Sequence, residues 1–330
     1  MKLDWPIEII GAGVSLPTKA VSNADFCKRL DTTEEWITQR TGILSRRMAA
    51  PEESTLTLAV DASRQAIAEA GLTPKDLDMI VLGTITPEHA LPATSCELQA
   101  ALGCRWIPAF DLVAACSGFV WSFVTAAHYV HTGMAGNVLV VGAETLTRIT
   151  DMEDRGTAIL FGDGAGAVVI RKSADPHRRL LAARMGSDGE RGMLIWIPAG
   201  GAKEPASVKS VNERLHYMRM KGREVYKFAV TQFQELIAET LDDAGVKIED
   251  VKLVVPHQSN MRIIESACER FGLPREKVVI NIDRYGNTSA ASIPIAFWEA
   301  KRDGRFQPGD LVLLVAFGAG LTWGSALLRV

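Results

Sequence analysis

Two hydrophobic periods follow one another along this chain, and the same succession occurs twice. In TLTLAVDASRQAIAEAG (Thr55 to Gly71) and EVYKFAVTQFQELIAETLDDAG (Glu224 to Gly245), apolar residues recur three and four apart, the spacing of a helix with one buried face. Both stretches stop at Ala-Gly, a C-cap signal. A short loop then leads into a β-branched run, DMIVLG in one half and KLVVPH in the other. A second helix follows, and then a run that is apolar throughout: VLVVGAE (Val138 to Glu144) and VLLVAFG (Val312 to Gly318). Strands without polar alternation are covered on both faces. Their alternation with helices predicts a layered α/β architecture.

The two halves match when the sequence is shifted by 174 residues. Glu69 to Gly83 then falls on Asp243 to His257, and Val138 to Glu144 on Val312 to Gly318. The repeat predicts two similar α/β halves, residues 1–172 and 211–330, related by a pseudo-twofold axis within one body. Residues 173–210, rich in charge, glycine and proline (IPAGGAKEPASVKS), are expected to form the linker. The same offset places Cys116 on Ala290, within YGNTSAAS. The axis therefore brings the turn holding Cys116 towards the turn holding Asn287.

Candidate chemistry starts at FDLVAACSGFVWSF. Ile107 to Val113 reads as a strand, and Ser117 to Val130 as a helix apolar nearly all round, hence buried. Cys116 falls where that helix begins. Unpaired N–H groups and the positive end of the helix dipole gather there, an environment expected to lower a thiol pKa. Ala114, Ala115 and Gly118 permit a tight strand-to-helix turn. A lone cysteine of this kind is ordinarily a small buried hydrophobe, but two further residues shift the balance. VVPHQSN puts His257 directly behind an apolar strand and a proline; DRYGNTSAAS puts Asn287 after another expected strand, in a glycine turn. Three polar groups at three strand ends form a catalytic constellation by type. Papain-like hydrolases also combine Cys, His and Asn. Their signature around the cysteine is absent here, and the duplicated pattern does not suit them.

Composition excludes more than it selects. Of 330 residues, 47% are hydrophobic and 23% charged, ordinary for a globular chain. A formal charge of −3 offers no basic excess to attract nucleic acid or an anionic membrane. The longest apolar run, Leu311 to Leu321, has 11 residues, against the roughly 20 that a spanning helix needs. MKLDWPIEIIGAG is a poor signal peptide, because Asp4 and Pro6 interrupt it, so a cytoplasmic location is expected. Cys27, Cys96, Cys104, Cys116 and Cys268 form no CxxC, and neither a disulfide framework nor a zinc site is expected. His89, His128, His131, His177 and His216 have no metal-ligand spacing. FGDGAGAVVI leads into a strand rather than a helix, so Gly162 to Gly166 reads as a structural turn and not a phosphate loop.

With these residues in view, the chain resembles the thiolase-fold condensing enzymes, and among them the 3-oxoacyl-[acyl-carrier-protein] synthase III family. The resemblance rests on TTEEWITQRTGILSRR, FDLVAACSGF, DRGTAILFGDGAGAVVI, MKGREVYKFAV, PHQSNMRII, YGNTSAASIPIA and FGAGLTWGSALLRV, in the family's order and across essentially the whole chain. It implies a thiolase-like five-layered αβαβα fold, a homodimer and a catalytic triad of Cys116, His257 and Asn287. It also implies an acyltransferase reaction: an acyl-CoA primer acylates Cys116, malonyl-ACP loses CO₂, and the products are 3-oxoacyl-ACP and free CoA, initiating fatty acid synthesis. No permanently bound cofactor is implied; acyl-CoA and carrier-borne phosphopantetheine are substrates.

Finer roles come with the resemblance. It implies an oxyanion hole from the backbone of Cys116, Ala319 and Gly320. Trp36, Arg40, Arg155, Gly222 and Asn260 would contact CoA and its pantetheine, an aromatic face and guanidinium planes being suited to a purine. Gln258, Ser259, Asn260, Met261 and Arg262 would contact the acyl carrier protein. Lys221, Arg223 and Arg46–Arg47 would extend a basic patch towards that acidic partner. Asn287 does not titrate and so remains a donor at any working pH. Elongating relatives place a second His in this role. Degradative thiolases carry a Cys in the C-terminal glycine loop, which AFGAG lacks. Two positions depart from the family's common pattern: Ala319 stands for the middle of three glycines, and Ser259 where Ala is frequent. Leu91, in EHALPATS, would wall the acyl pocket of the partner protomer; a wall smaller than Phe implies primers longer or more branched than acetyl. The alternative activity is that of a specialised relative passing the acyl group to another nucleophile in secondary metabolism. A non-catalytic carrier-holding subunit would have no need of Cys116.

Overall fold

In a computed structural model describing residues 1–330, the apolar runs become strands that pair into two five-stranded sheets. The strands are β1 (Lys2–Trp5), β2 (Ile7–Ser15), β3 (Ala20–Ser22), β4 (Ser45–Arg47), β5 (Met79–Gly83), β6 (Ala109–Leu112) and β7 (Val138–Thr145). They continue with β8 (Asp163–Lys172), β9 (Arg179–Ser187), β10 (Ile195–Trp196), β11 (Arg219–Met220), β12 (Leu253–Pro256), β13 (Leu311–Gly318) and β14 (Thr322–Arg329). The first sheet runs β2-β8-β7-β5-β6 and the second β1-β9-β14-β13-β12; β3 with β4, and β10 with β11, form short ribbons. Within the first sheet β5 lies parallel to β6 and β7, and β8 antiparallel to β7 and β2. Within the second, β12 is parallel to β13, and β14 antiparallel to β13 and β9.

Helices complete five layers. Thr55–Glu69 and Thr94–Leu102 cover the outer face of the first sheet, and Gly222–Ala244 and Met261–Phe271 that of the second. Gly118–His131 and Ser292–Arg302 fill the space between the sheets. The central core joins Phe119, Phe123, Ile293 and Phe297 of these two helices to Val140 and Leu314 of the two sheets. This is the thiolase-like arrangement, and β5, β7 and β13 are buried along their whole lengths, as unbroken apolar runs require.

Duplication extends to single residues. At the offset of 174, Met79 and Leu253 open β5 and β12, and Gly118 and Ser292 open the two central helices. The one-turn helices Ala115–Ser117 and Ser289–Ala291 also correspond. Ala115 and Ser289, matched by that offset, both hold left-handed backbone, φ 46° and 47°, a conformation that costs a non-glycine residue energy and persists only where its surroundings enforce it. The two halves touch here. A Cβ on Gly142 of β7 would lie 2.3 Å from the Ala290 carbonyl oxygen, so only glycine lets that strand reach the opposite turn.

Three expectations need correction. Residues 173–210 are not simply a linker, because β9 lies inside the second sheet between β1 and β14, with Leu180 and Ala182 fully buried. The charged DPHRR before it masked a strand signal. The first strand, β1, also joins the second sheet, pairing Lys2 with Ala182, so residues 1–172 are not all of one half. Finally, no strand precedes Asn287. Ile282–Tyr285 is a short helix, and Asn287 makes one isolated bridge to Phe161.

Candidate active site

Cys116 stands in the middle of the one-turn helix between β6 and Gly118–His131. That turn is fastened to the opposite half: Thr322 Oγ1 donates to the Ala114 carbonyl at 2.9 Å, and Ser117 Oγ lies 2.7 Å from Thr322 Oγ1. The Gly318 backbone presses against it so closely that a Cβ there would sit 2.6 Å from the Cys116 nitrogen. His257 follows β12 directly, and its own N–H pairs with the Val315 carbonyl at 2.8 Å. Asn287 is held by two backbone hydrogen bonds, its N–H to Leu160 O at 2.9 Å and its carbonyl from Gly162 N–H at 3.0 Å. Cys116, His257 and Asn287 thus come from three separate segments and line one mostly apolar cavity of about 850 Å³, mouth included.

Hydrogen bonding assigns the roles of the polar atoms. The Asn287 Oδ1 accepts from the Ser289 N–H at 2.8 Å, which turns the NH₂ group away, with no partner in the chain. His257 Nδ1 lies 2.6 Å from Ser292 Oγ. That hydroxyl has no other acceptor, so it donates to Nδ1 and leaves the imidazole proton on Nε2. Nε2 is buried and unpartnered. Two N–H donors, one from His257 and one from Asn287, are thereby left for whatever enters the cavity. Burial pushes the His257 pKa down to about 3, so the ring is neutral at any ordinary pH.

The expected low thiol pKa is overturned. Burial in apolar surroundings pushes Cys116 up to about 12. The Ser289 hydroxyl opposes this rise and the Glu144 carboxylate adds to it. Desolvation outweighs the helix start: the apolar enclosure disfavours the charged form, and a dipole end contributes at most about 2 kcal/mol in favourable geometry. Cys116 therefore rests as a neutral thiol.

Of the three residues expected to form an oxyanion hole, Cys116 and Ala319 border this cavity, whereas Gly320 is exposed and does not. Outside the helix and sheet ladders, neither the Cys116 N–H nor the Ala319 N–H donates a hydrogen bond within the chain. Ala319 borders the cavity and has no positive φ; the φ of 135° falls on Gly320 instead. The departure to alanine is therefore accommodated without backbone strain.

Gly222, Ser259 and Asn260 line the same cavity. Asn260 links it to the outer candidates, since its Nδ2 donates to the Arg40 carbonyl at 2.9 Å while its Oδ1 caps helix Met261–Phe271 through Arg262 N–H at 3.0 Å. Trp36 has the Arg155 guanidinium 5.0 Å and the Arg40 guanidinium 5.8 Å from its ring centroid, so the three form one cluster. Met261 packs against Gly42, at the end of the Trp36 helix.

Other placements differ. Gln258 is fully buried; its amide donates to Pro256 O and Val279 O and accepts from the N–H groups of Asn281 and Ile282, so it cannot meet a carrier. Arg46 is wholly inside, donating to Asn23 Oδ1 and Ile159 O, and Arg47 donates to carbonyls of Pro17 and Thr18. Lys221, Arg223 and Arg262 remain exposed. Leu91 is 87% exposed and lines no wall of its own chain's cavity. The sequence reading missed Ser292, Ser289, Glu144 and Phe317. Only SAAS beside Asn287 hinted at the first two.

Known proteins share the sequence and the fold of this chain. The family described as 3-oxoacyl-[acyl-carrier-protein (ACP)] synthase III matches residues 110–189, and its C-terminal counterpart matches residues 241–330. The beta-ketoacyl-[acyl-carrier-protein] synthase III of Caldanaerobacter subterraneus subsp. tengcongensis is 47% identical over 97% of each chain. That of Aquifex aeolicus is 48% identical over 98% of this chain and 99% of its own. The crystal structure of the Aquifex aeolicus 3-oxoacyl-[acyl-carrier-protein] synthase III superimposes with a TM-score of 0.91, covering 98% of this chain and all of the other. Xanthomonas campestris OleA, at 21% identity and TM-score 0.87, shares the fold. In sequence, in fold and over its full length, the chain belongs to the 3-oxoacyl-[acyl-carrier-protein] synthase III family.

Proposed function

We propose that this acyltransferase joins an acyl-CoA primer to malonyl-ACP by decarboxylative Claisen condensation, the initiating step of fatty acid synthesis, through an acyl-Cys116 intermediate. The observation that carries the reading is the shared cavity, into which one sulfur and two unpartnered N–H donors converge.

Cys116 sulfur attacks the primer's thioester carbonyl, and its proton leaves with the CoA sulfur. Because the resting thiol is neutral, deprotonation belongs to this step and not to the ground state. The Cys116 and Ala319 N–H groups take the developing oxyanion. Trp36, Arg40 and Arg155 hold the CoA adenine end, and Gly222 and Asn260 flank its pantetheine. In the second step the malonyl thioester loses CO₂. His257 Nε2–H and the Asn287 amide share the enolate oxygen. The carbanion attacks the acyl-Cys116 carbonyl, the tetrahedral adduct collapses, and Cys116 departs as a thiolate that takes up a proton from water to restore the resting thiol. Neutral His257 suits a donor better than a base, since its burial disfavours the imidazolium.

The carrier docks over Ser259, Asn260, Met261 and Arg262, with exposed Lys221 and Arg223 beside them. A homodimer forms along edge strand β6, where Leu91, Trp106 and Val113 are exposed apolar residues. In it Leu91 walls the partner protomer's acyl pocket. Intact-mass measurement tests the reading. Acyl-CoA should add one acyl group to the native protein and none to Cys116→Ser. Malonyl-ACP should then discharge it with release of CO₂. Asn287→Ala should still acylate but decarboxylate about 10²- to 10³-fold more slowly, the usual loss for one such donor. Poor acylation with normal decarboxylation would overturn the assignment.

A further inference from the structure

Directly beneath the Cys116 turn lies a buried carboxylate that the condensation does not use. Glu144, near the end of β7, has no exposure, and no lysine, arginine or histidine pairs with it. Its carboxylate accepts from Thr86 Oγ1 at 2.6 Å, Thr84 Oγ1 at 3.2 Å and the Ile85 N–H at 3.1 Å. The remaining neighbour is the Ser289 hydroxyl, which lies beside both Glu144 and Cys116 and meets hydrogen-bond geometry with neither. Close contact of Gly142 with Ala290 fixes this turn against β7, and the left-handed backbone of Ser289 sets where its side chain starts.

A serine hydroxyl has one hydrogen to give. Here two potential anions stand on either side of it. We propose that Glu144 is a positioning residue for Cys116: through Ser289 the two compete for a single donor, so the buried cluster holds one negative charge, on Glu144 or on the Cys116 sulfur, and not on both. Low dielectric enforces this, because two like charges in a dry site repel strongly. Burial raises Glu144 to about 7, so it gains its charge, and with it the claim on the shared donor, within the working range. Other charged groups nearby are engaged elsewhere. Asp163, beside Thr145 on β8, takes Thr147 and the Ala49 N–H; Arg148 donates to the Ala50 and Glu53 carbonyls; Glu88 takes the Leu56 N–H. Neutral His257 stands on the cavity wall.

The inference rests on Cys116 as nucleophile, and its test separates the two. Alkylation of the Cys116 peptide by iodoacetamide is followed by mass spectrometry from pH 6 to 9.5 in native protein, Glu144→Gln and Ser289→Ala. Glutamine keeps the shape and removes the charge. Its thiolate fraction should rise, and alkylation at pH 8 should quicken roughly three- to four-fold after allowing for the weaker nucleophile. Ser289→Ala removes the shared donor and should slow alkylation about two- to three-fold. Alanine is tolerated there, as Ala115 shows at the matching position. Opposite signs in the two variants support the proposal. Superimposable profiles, or changes of the same sign, overturn it. Failure of native protein to form an acyl-enzyme would instead sink the assignment of Cys116 as nucleophile.

Discussion

Replacing Gly318 by alanine tests whether the loop after β13 is part of the reaction centre. Gly318 is buried and has no positive φ, so alanine meets no backbone penalty. Its Cβ would stand 2.6 Å from the Cys116 nitrogen, 3.1 Å from the Ser117 nitrogen and 3.2 Å from the Ala114 oxygen. All three are backbone atoms of a turn fastened to Thr322, and none can swing aside. Relief to an ordinary contact of 3.4 Å requires about 0.8 Å of separation between the turn and the loop. Overpacking of that kind costs about 1–3 kcal/mol of stability, which leaves a folded protein. Catalysis should suffer more, because oxyanion donors act within 2.7–3.1 Å of the oxygen. The Cys116 and Ala319 N–H groups lie on either side of the contact, and moving one out of range costs about 2.7–4 kcal/mol, a slowing of about 10²- to 10³-fold. Single-turnover acylation followed by intact mass measures this, with a thermal melt as control. A folded variant that acylates within threefold of the native rate would show that the loop is only packing, and the oxyanion assignment would fail.

Two buried groups give opposed pH dependences of stability. His257 has its folded pKa lowered from 6.5 to about 3, so the unfolded chain takes the proton first and stability falls as pH drops below 6.5. Glu144 has its folded pKa raised from 4.5 to about 7, so its contribution is full at low pH and is lost as pH rises through that window. From pH 7 to 4.5 the first loses about 2–3 kcal/mol and the second gains about 3 kcal/mol. Relative to native protein, His257→Gln should gain stability on acidification and Glu144→Gln should lose it; identical urea midpoint shifts would contradict both. Trp36→Ala should raise the KM for acyl-CoA about tenfold and leave acylation at saturation unchanged, given the usual worth of one base stacked on an aromatic ring. Initial rates with acetyl-, isobutyryl- and octanoyl-CoA examine Leu91: longer or branched primers should be accepted, and a strict acetyl preference would rule out the reading of a smaller pocket wall.

What the sequence by itself determined was everything carried by local order. Apolar runs named β5, β7, β12 and β13, Ala-Gly marked two helix ends, and an offset of 174 paired the one-turn helices before any contact was known. Cys116, His257 and Asn287 could be picked out because each follows an apolar run or a glycine turn. Tertiary structure decided what depends on neighbours distant in the chain. It drew β9 into the second sheet and sent Gln258 and Arg46 inward, since burial of a polar side chain is set by the carbonyls and amides that happen to surround it. It reversed the expected thiol pKa, because a helix start can be read from a motif whereas desolvation is a sum over the whole enclosure. It also placed Ser292 behind His257 and Glu144 beneath Cys116, across 35 and 28 residues of sequence. Periodicity is a property of adjacent residues; hydrogen-bond partners and dielectric are properties of a folded volume.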